Sequence, residues 1–287
     1  MTVADEINLK VSRIKNLPTL SVDGIKILQA VNDPDISIDE LATVLSTSPV
    51  LVGRLIGLAN SAYFGHAGKV NDLKFAIIRV LGFNLVKCLT VGVVLNLELN
   101  TQKCNQFDSE RFWMDALLTA ILAQQFSQLS SDEDLAPSTA YTAGLLLNIG
   151  LITAVYMWPE ALNQVLLSAN TNGSSVSREM LAAMGEHQYE LGSVLLAHWH
   201  LPRIYSVTLR EFKNTDYTGS ERRMIDLLAV CFATAKKMLA GQQDELPLFV
   251  KRLEAFGVSA ARAQSVIDDL LAAKNNIYTA ALAIAGK

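Results

Sequence analysis

The sequence contains little cysteine and little proline. Its three cysteines, Cys88, Cys104 and Cys231, are odd in number and far apart, so they form neither a disulfide framework nor a zinc-ligand spacing. Their small number suits a reducing compartment. Seven prolines and 16 glycines in 287 residues exclude a collagen-like or low-complexity chain.

Charged residues are also scarce. They make up 18% of the chain against 51% hydrophobic residues, and the formal net charge is −4. A chain this apolar buries a large core, which excludes intrinsic disorder. The slight negative charge offers no general attraction to phosphates, so nucleic-acid binding is not expected.

No segment predicts export or membrane insertion. The first residues carry Asp5 and Glu6 where a secretory signal has a basic segment and an apolar run. The most apolar stretch, residues 88–97, is shorter than the roughly 20 residues that a membrane-spanning helix needs. We therefore expect a soluble cytoplasmic protein without membrane contact.

The spacing of apolar residues is helical along nearly the whole chain. Apolar positions within 117–126, 191–199, 228–239 and 266–271 recur at steps of three and four, which places them on one helix face. No segment keeps the period of two that a half-buried strand shows. The pattern predicts a compact all-α fold of about a dozen helices, without a coiled coil or an internal repeat.

Capping residues mark several helix starts. Ser37 and Glu40 predict a capping box, in which each side chain satisfies a free backbone amide. Ser48 before Pro49 predicts a cap followed by proline in the first turn. Asn71 is a candidate cap for the next helix.

Residues 37–59 resemble a helix-turn-helix of the kind that binds DNA. A recognition helix exposes polar and basic side chains to base edges and phosphates. The second helix here is apolar nearly all round, with Arg54 as its single charge. That composition favours a buried structural helix over a DNA-binding one.

Four histidines, His66, His187, His198 and His200, are the candidates for a metal site. A metal that activates water needs several His or carboxylate ligands that converge on one point. The segment 186–190 does not match the His-Glu-x-x-His motif. His198 and His200 flank a tryptophan and are expected on different faces of a helix end. Each histidine is therefore more typical of a surface or core residue than of a ligand.

Other catalytic motifs are missing from the sequence. It contains no Gly-x-Ser-x-Gly elbow, no Gly-x-x-x-x-Gly-Lys-Ser/Thr phosphate loop and no Gly-x-Gly-x-x-Gly fingerprint after a strand. The sequence therefore predicts no cofactor.

The order and spacing of several short motifs resemble those of an HDOD domain over residues 17–212. The motif residues that carry the resemblance are Pro18, Pro49, Asn60, Ser61, Gly82, Trp113, Gly144, Gly150, Gly192, Trp199 and Pro202. The resemblance implies an HD-like helical bundle with an N-terminal helical subdomain. Polar residues at 214–219 interrupt the apolar pattern and mark the end of the matched domain. The chain is therefore expected to consist of an N-terminal helix at 1–16, an HDOD domain at 17–213 and a C-terminal extension at 214–287. The extension is expected to hold about three helices.

The resemblance also implies a regulatory module of bacterial signalling that is related to the HD phosphohydrolases. Those enzymes hold a divalent metal with a His, a consecutive His-Asp pair and a later Asp. The corresponding positions here are Asp115 or its neighbours, then Leu147 with Asn148, and finally 229–232, which reads Ala-Val-Cys-Phe. None of these residues is the required ligand. His187 is the one histidine of the family pattern that remains, and it lies outside the set of four ligands. The resemblance therefore implies that the metal site is lost.

The candidates for lining the vestigial pocket, which is what remains of the metal site, are Asp115, Asn148 and His187. They would form either a hydrogen-bonded polar cluster or a site for a small ligand.

The favoured function is a non-catalytic signalling protein that acts through protein partners. One alternative is a metal-dependent phosphohydrolase with a rearranged site formed by Asp115, Glu186, His187 and Glu190. Another is DNA binding through 37–59.

The C-terminal extension offers fewer signals. Its alanine-rich segments at 260–263 and 280–285 predict either close helix packing or a homodimer contact. Lys236 and Lys237 lie near a helix end, where they are expected to complement the helix dipole on a solvated face.

Overall fold

The computed structural model describes residues 17–65 and 67–287. The predicted N-terminal helix at 1–16 and His66 lie outside the described residues. Within the described ranges the elements are helices and their connecting turns, without a strand. The predicted all-α fold is confirmed, although the helices are more numerous than the expected dozen.

The helices follow one another closely along the chain. In chain order they are α1 (Val22–Asn32), α2 (Ile38–Leu45), α3 (Pro49–Ala59), α4 (Leu73–Phe75, continued by a π-helix at Ala76–Leu81), α5 (Phe83–Glu98), α6 (Ser109–Leu129), α7 (Pro137–Leu146), α8 (Ile149–Met157), α9 (Pro159–Asn172), α10 (Val176–Met184), α11 (Gln188–His198), α12 (Arg203–Glu211), α13 (Arg222–Ala240), α14 (Leu246–Leu253), α15 (Ala260–Ala272) and α16 (Lys274–Ala285). Single 3-10 turns at Gln243–Glu245 and Glu254–Phe256 flank α14.

Local capping chemistry starts several of these helices. The capping box at α2 is present, with the Glu40 amide donating to Ser37 Oγ at 3.2 Å and the Ser37 amide donating to Glu40 Oε2 at 2.9 Å. Ser48 caps α3 ahead of Pro49, also as predicted. The cap predicted at Asn71 is wrong by one residue. Asp72 accepts the Phe75 amide at 2.7 Å, because it is the last residue with extended backbone before the helix.

Helix α6 is the centre of the fold. It is buried on every side from Phe112 to Ala123, and it contacts α7, α13 and α16. Around it, α1 and α3 pack on α5, while α8 and α12 pack on α11. One continuous hydrophobic cluster runs from Leu17 to Ile284, so the C-terminal helices share the core of the preceding residues.

The alanine-rich segments of the C-terminal helices pack within the chain. Ala263, Ala280 and Ala281 are fully buried. Helix α16 lies against α3, α5 and α6, where small side chains permit close approach. Close helix packing thus accounts for these alanines, and a homodimer contact stays a prediction.

Helices α7 and α8 together form a long apolar segment. Residues Pro137–Met157 span 21 residues with a mean hydropathy of 1.5, which is enough by length and composition to cross a membrane. However, 83% of its most apolar stretch is buried inside the fold. The apolar composition of this segment is therefore explained by its place in the core. The sequence prediction considered only residues 88–97 and missed this longer segment, because polar Asn148 and two glycines interrupt it.

We expect the protein to lose stability in acid partly through Asp132. Arg223 Nε donates to Asp132 Oδ2 at 2.6 Å and joins the turn after α6 to α13. This hydrogen bond holds the pKa of the Asp132 carboxyl below its ordinary value. A lowered pKa in the folded state stabilises the fold fully above the unfolded-state pKa of about 3.9, and this stabilisation is lost as the pH falls through the folded-state pKa.

The measurement is urea unfolding of the wild type and Asp132→Asn between about pH 7 and pH 3. The variant should be less stable near neutral pH and should lose less of its stability on acidification. Asp35→Asn, at an exposed turn, is the matched control and should follow the wild type. Parallel pH profiles for the wild type and Asp132→Asn would show that the pair contributes nothing.

Candidate functional site

The positions that the family resemblance links to metal ligands meet around α6. Helix α6 carries Asp115, the turn between α7 and α8 carries Leu147 and Asn148, and α13 carries residues 229–232. Helix α13 contacts both α6 and α7. The fold therefore brings these separate stretches of sequence to one region of the core.

The pairing of α6 with α7 sets the register of this region. Ser127 Oγ donates to the Leu135 carbonyl, and a Cβ on Gly144 would lie 2.8 Å from the Cα of Ala120. Ser127 thus lies beside Leu135, and Ala120, which comes earlier on α6, lies beside Gly144, which comes later in the chain. The two helices are therefore antiparallel. Helix α7 ends at Leu146, and the chain then turns at Asn148 into α8.

Asp115 is engaged by a lysine from the C-terminal helices. Its Oδ2 atom accepts a hydrogen bond from Lys236 Nζ in an ion pair. The Asp115 side chain is 7% exposed, whereas that of Lys236 is 45% exposed, so the ammonium reaches in from the surface. The other carboxylate oxygen, Oδ1, is buried and makes no hydrogen bond among the described residues.

Asn148 is engaged by a side chain from the start of α11. Gln188 Nε2 donates to Asn148 Oδ1 at 2.7 Å, and both residues are buried. The amide oxygen of Gln188 has no hydrogen-bond partner in the described part of the chain. This contact depends on the close approach of α8 and α11, where Gly150 and Gly192 lie backbone to backbone.

Among the described residues, no hydrogen bond joins His187 to Asp115 or Asn148. It is half-buried at the N-terminal end of α11, and its Nδ1 lies 3.2 Å from Ser177 Oγ on α10. The three predicted pocket residues thus have three different side-chain partners, Lys236 for Asp115, Gln188 for Asn148 and Ser177 for His187.

An aromatic row completes the surroundings of the site. Tyr189 and Phe212 have ring centroids 4.8 Å apart, and Phe212 and Phe232 have centroids 6.3 Å apart. Lys236 Nζ lies 5.2 Å from the centre of the Phe232 ring, and Lys213 Nζ lies 5.5 Å from the Tyr189 and Phe212 rings. Burial raises the pKa of the Tyr189 hydroxyl well above its ordinary range. Phe232, within the stretch 229–232 where the resemblance places the late Asp, contributes packing and a cation–π contact.

Sequence reasoning missed Lys236 and Gln188 as members of this site. Lys236 is exposed, as predicted, but its ammonium also pairs with Asp115 on α6, which the interpretation as a helix-dipole partner missed. Its neighbour Lys237 pairs with Glu245 at 2.7 Å. For Gln188, the one signal in the sequence was its position directly after the motif residue His187.

The side chains in this region are a poor donor set for a divalent metal. The one carboxylate is neutralised by Lys236, the two amides bind each other, and Leu147 offers no ligand atom. In the described ranges, no three His, Cys, Asp or Glu residues converge in a way that would hold a metal ion.

The helix-turn-helix region has the geometry of the motif without its chemistry. Helices α2 and α3 meet at 119°, as the paired helices of such motifs do. Arg54, the single charge on α3, donates to the Ile284 carbonyl at 2.8 Å, and burial lowers the pKa of its guanidinium. This side chain therefore ties α3 to α16 and does not extend toward a ligand.

The remaining motif residues mostly fix the helices to one another. Asn60 binds the Val70 backbone twice, at 2.7 and 2.8 Å. Trp113 Nε1 donates to Asn96 Oδ1 at 2.8 Å, and Trp199 Nε1 donates to the Pro18 carbonyl at 2.6 Å.

Comparison with known proteins supports one family. The model of the HDOD domain matches residues 17–215. An uncharacterized protein from Treponema pallidum (strain Nichols) is 27% identical over 225 residues, which are 77% of this chain and 42% of that protein. The chain thus spans less than half the length of that relative.

Solved structures with the same fold come from several bacteria. A proposed signal transduction protein from Marinobacter aquaeolei VT8 has a TM-score of 0.77 at 22% identity, over 98% of this chain and 65% of that one. A proposed phosphohydrolase from Shewanella amazonensis SB2B has a TM-score of 0.76 at 20% identity, over 97% of both chains. An HDOD domain protein of unknown function from Geobacter sulfurreducens has a TM-score of 0.74 at 20% identity, over 99% of both.

Proposed function

Because this chain belongs to the HDOD domain family, we propose that it is a non-catalytic signalling protein that acts by binding protein partners. Relatives of the same fold have been described both as a signal transduction protein and as a phosphohydrolase. At their low sequence identity these likenesses establish the fold alone. The choice between the two functions therefore rests on the side chains of the site.

The ion pair between Asp115 and Lys236 is the observation that carries the proposal. A metal that activates water needs three or more protein ligands and an open position for the water. Here the carboxylate nearest the family's metal position already carries its own cation. A divalent metal at Asp115 would have to displace Lys236, and the amides of Asn148 and Gln188 are already bound to each other.

The arrangement gives less support to the two alternative functions. A rearranged phosphohydrolase site would need His187 to converge with Asp115, but the His187 ring binds Ser177 on α10. A DNA-binding helix α3 would need basic side chains on its surface, but its one arginine is bound to the backbone of α16.

We expect the purified full-length protein to lack phosphatase and phosphodiesterase turnover. The assay uses p-nitrophenyl phosphate and bis(p-nitrophenyl) phosphate with added Mn²⁺ or Mg²⁺. The wild type should not exceed Asp115→Asn or His187→Ala prepared in the same way, because no metal-bound hydroxide forms in this site. Inclusion of two variants on different helices guards against a single variant that fails to fold.

Metal content provides the second measurement. Elemental analysis after dialysis should find no stoichiometric divalent metal in the wild type. Bound metal at one equivalent, with turnover that disappears in both variants, would refute the proposal. A protein partner and a homodimer both remain predictions of this proposed function.

A further inference from the structure

A groove of about 480 Å³ lies at the C-terminal end of α11, the opposite end of that helix from Gln188. Its walls are α1, the segment before it and the end of α11. The apolar lining consists of Leu20, Ile25, Leu28 and Trp199. A concave site of 300–1,000 Å³ with an apolar lining and a few polar groups is typical of small-molecule sites, and this groove falls in that range.

The shape of the groove is fixed by backbone contacts. Trp199 Nε1 donates to the Pro18 carbonyl at 2.6 Å, which ties the segment before α1 to the end of α11. His200 then turns the chain in the left-handed conformation, with φ of 55°. Apart from glycines, no other residue in 17–65 or 67–287 has a positive φ. Positive φ is uncommon outside glycine, although histidine, like asparagine and aspartate, is among the residues that adopt it more often than others.

The polar side chains of the groove are available for binding. Gln29, His198 and His200 line it, and their side chains make no hydrogen bond within the described residues. Together they offer both donors and acceptors. Within the described part of the lining Asp33 is the one carboxylate, and its backbone carbonyl accepts a hydrogen bond from Lys87 Nζ at 2.7 Å.

We propose that this groove binds a neutral, planar heteroaromatic molecule of nucleoside size. The aromatic body would lie against Leu28 and Trp199, and an edge with both N–H donors and acceptors would meet Gln29 and the two histidines. Among the described residues that line the groove there is no lysine or arginine. Polyphosphates and other multiply charged ligands are therefore not expected, because they need several cationic groups.

Isothermal titration calorimetry on the full chain tests the proposal with adenosine, guanosine and indole-3-carboxamide. At least one of these neutral probes should bind saturably with one site per chain. ATP, which shares its base with adenosine but carries a triphosphate, should bind more weakly than adenosine. Absence of saturable binding for all three neutral probes would overturn the proposal, and so would tighter binding of ATP than of adenosine.

Variants place the binding in the groove. Ile25→Trp adds bulk inside the groove at an exposed position of α1 and should abolish binding. Val22→Trp lies one turn earlier on α1, is exposed and does not line the groove, so it should bind like the wild type. Equal binding by the Ile25→Trp protein and the wild type would place the ligand elsewhere and exclude the groove.

His200→Gly separates binding from folding. Glycine adopts the positive φ without strain, so the thermal midpoint should be unchanged or higher. Loss of the imidazole should nevertheless weaken binding about tenfold, the effect of one or two lost hydrogen bonds. Unchanged affinity in this variant would contradict a role for His200 in the site.

Discussion

Replacement of Gly150 by alanine is expected to destabilise the protein by about 3 kcal/mol or more. A Cβ at this position would overlap the backbone carbonyl oxygen of Gln188 and lie 2.5 Å from the backbone nitrogen of Gly192. Both obstacles are backbone atoms of α11, so no side-chain rotation relieves the overlap. The variant can fold only if α8 and α11 move apart, which opens voids in a close-packed core.

The consequences of this change should extend to the candidate site. Helix α11 begins at Gln188, whose side chain binds Asn148 at the start of α8. Separation of the two helices therefore breaks this buried amide pair as well as the apolar packing. The expected result is a large loss in urea-unfolding free energy, with fast amide exchange in α8 and α11 if the variant folds at all.

Gly53→Ala is the matched control for this experiment. Gly53 is exposed within α3, and no heavy atom lies within 4 Å of a Cβ placed there. Alanine should stabilise this helix by up to about 1 kcal/mol, because it loses less backbone entropy than glycine. If Gly150→Ala unfolds within about 1 kcal/mol of the wild type, α8 and α11 are not in the close contact described here.

Local features of the fold were readable from the sequence because their causes are local. The capping box at Ser37 and the proline start of α3 involve residues within one turn of each other. Apolar steps of three and four reflect the helical repeat itself, whatever the helix packs against. The order of the HDOD motifs then fixed the arrangement of these helices, by resemblance to a known fold.

The chemistry of the site was less accessible, because it depends on contacts between distant residues. Asp115 and Lys236 are 121 residues apart, and Asn148 and Gln188 are 40 residues apart. A lysine near the end of an amphipathic helix looks the same in sequence whether it faces water or a buried carboxylate. Only the packing of α13 on α6 distinguishes the two cases.

Lys236→Met is expected to destabilise the protein by about 2–3 kcal/mol. The change removes the ammonium that pairs with buried Asp115 and keeps a long apolar side chain over Phe232. Loss of one partner from a fully buried ion pair typically costs about 3–5 kcal/mol. The expected loss is smaller here because the Lys236 side chain is 45% exposed, so water screens part of the charge.

A double-mutant cycle with Asp115→Asn separates the ion pair from the packing of either side chain. The double variant Asp115→Asn with Lys236→Met leaves no charge in the site, so it should recover about 1–2 kcal/mol relative to the sum of the single changes. Lys251→Met, at an exposed position of α14, is the control and should stay within about 0.5 kcal/mol of the wild type. Simple additivity of the two changes would mean that Lys236 does not neutralise Asp115. The carboxylate would then be available to a metal, and the central observation behind the non-catalytic function would be lost.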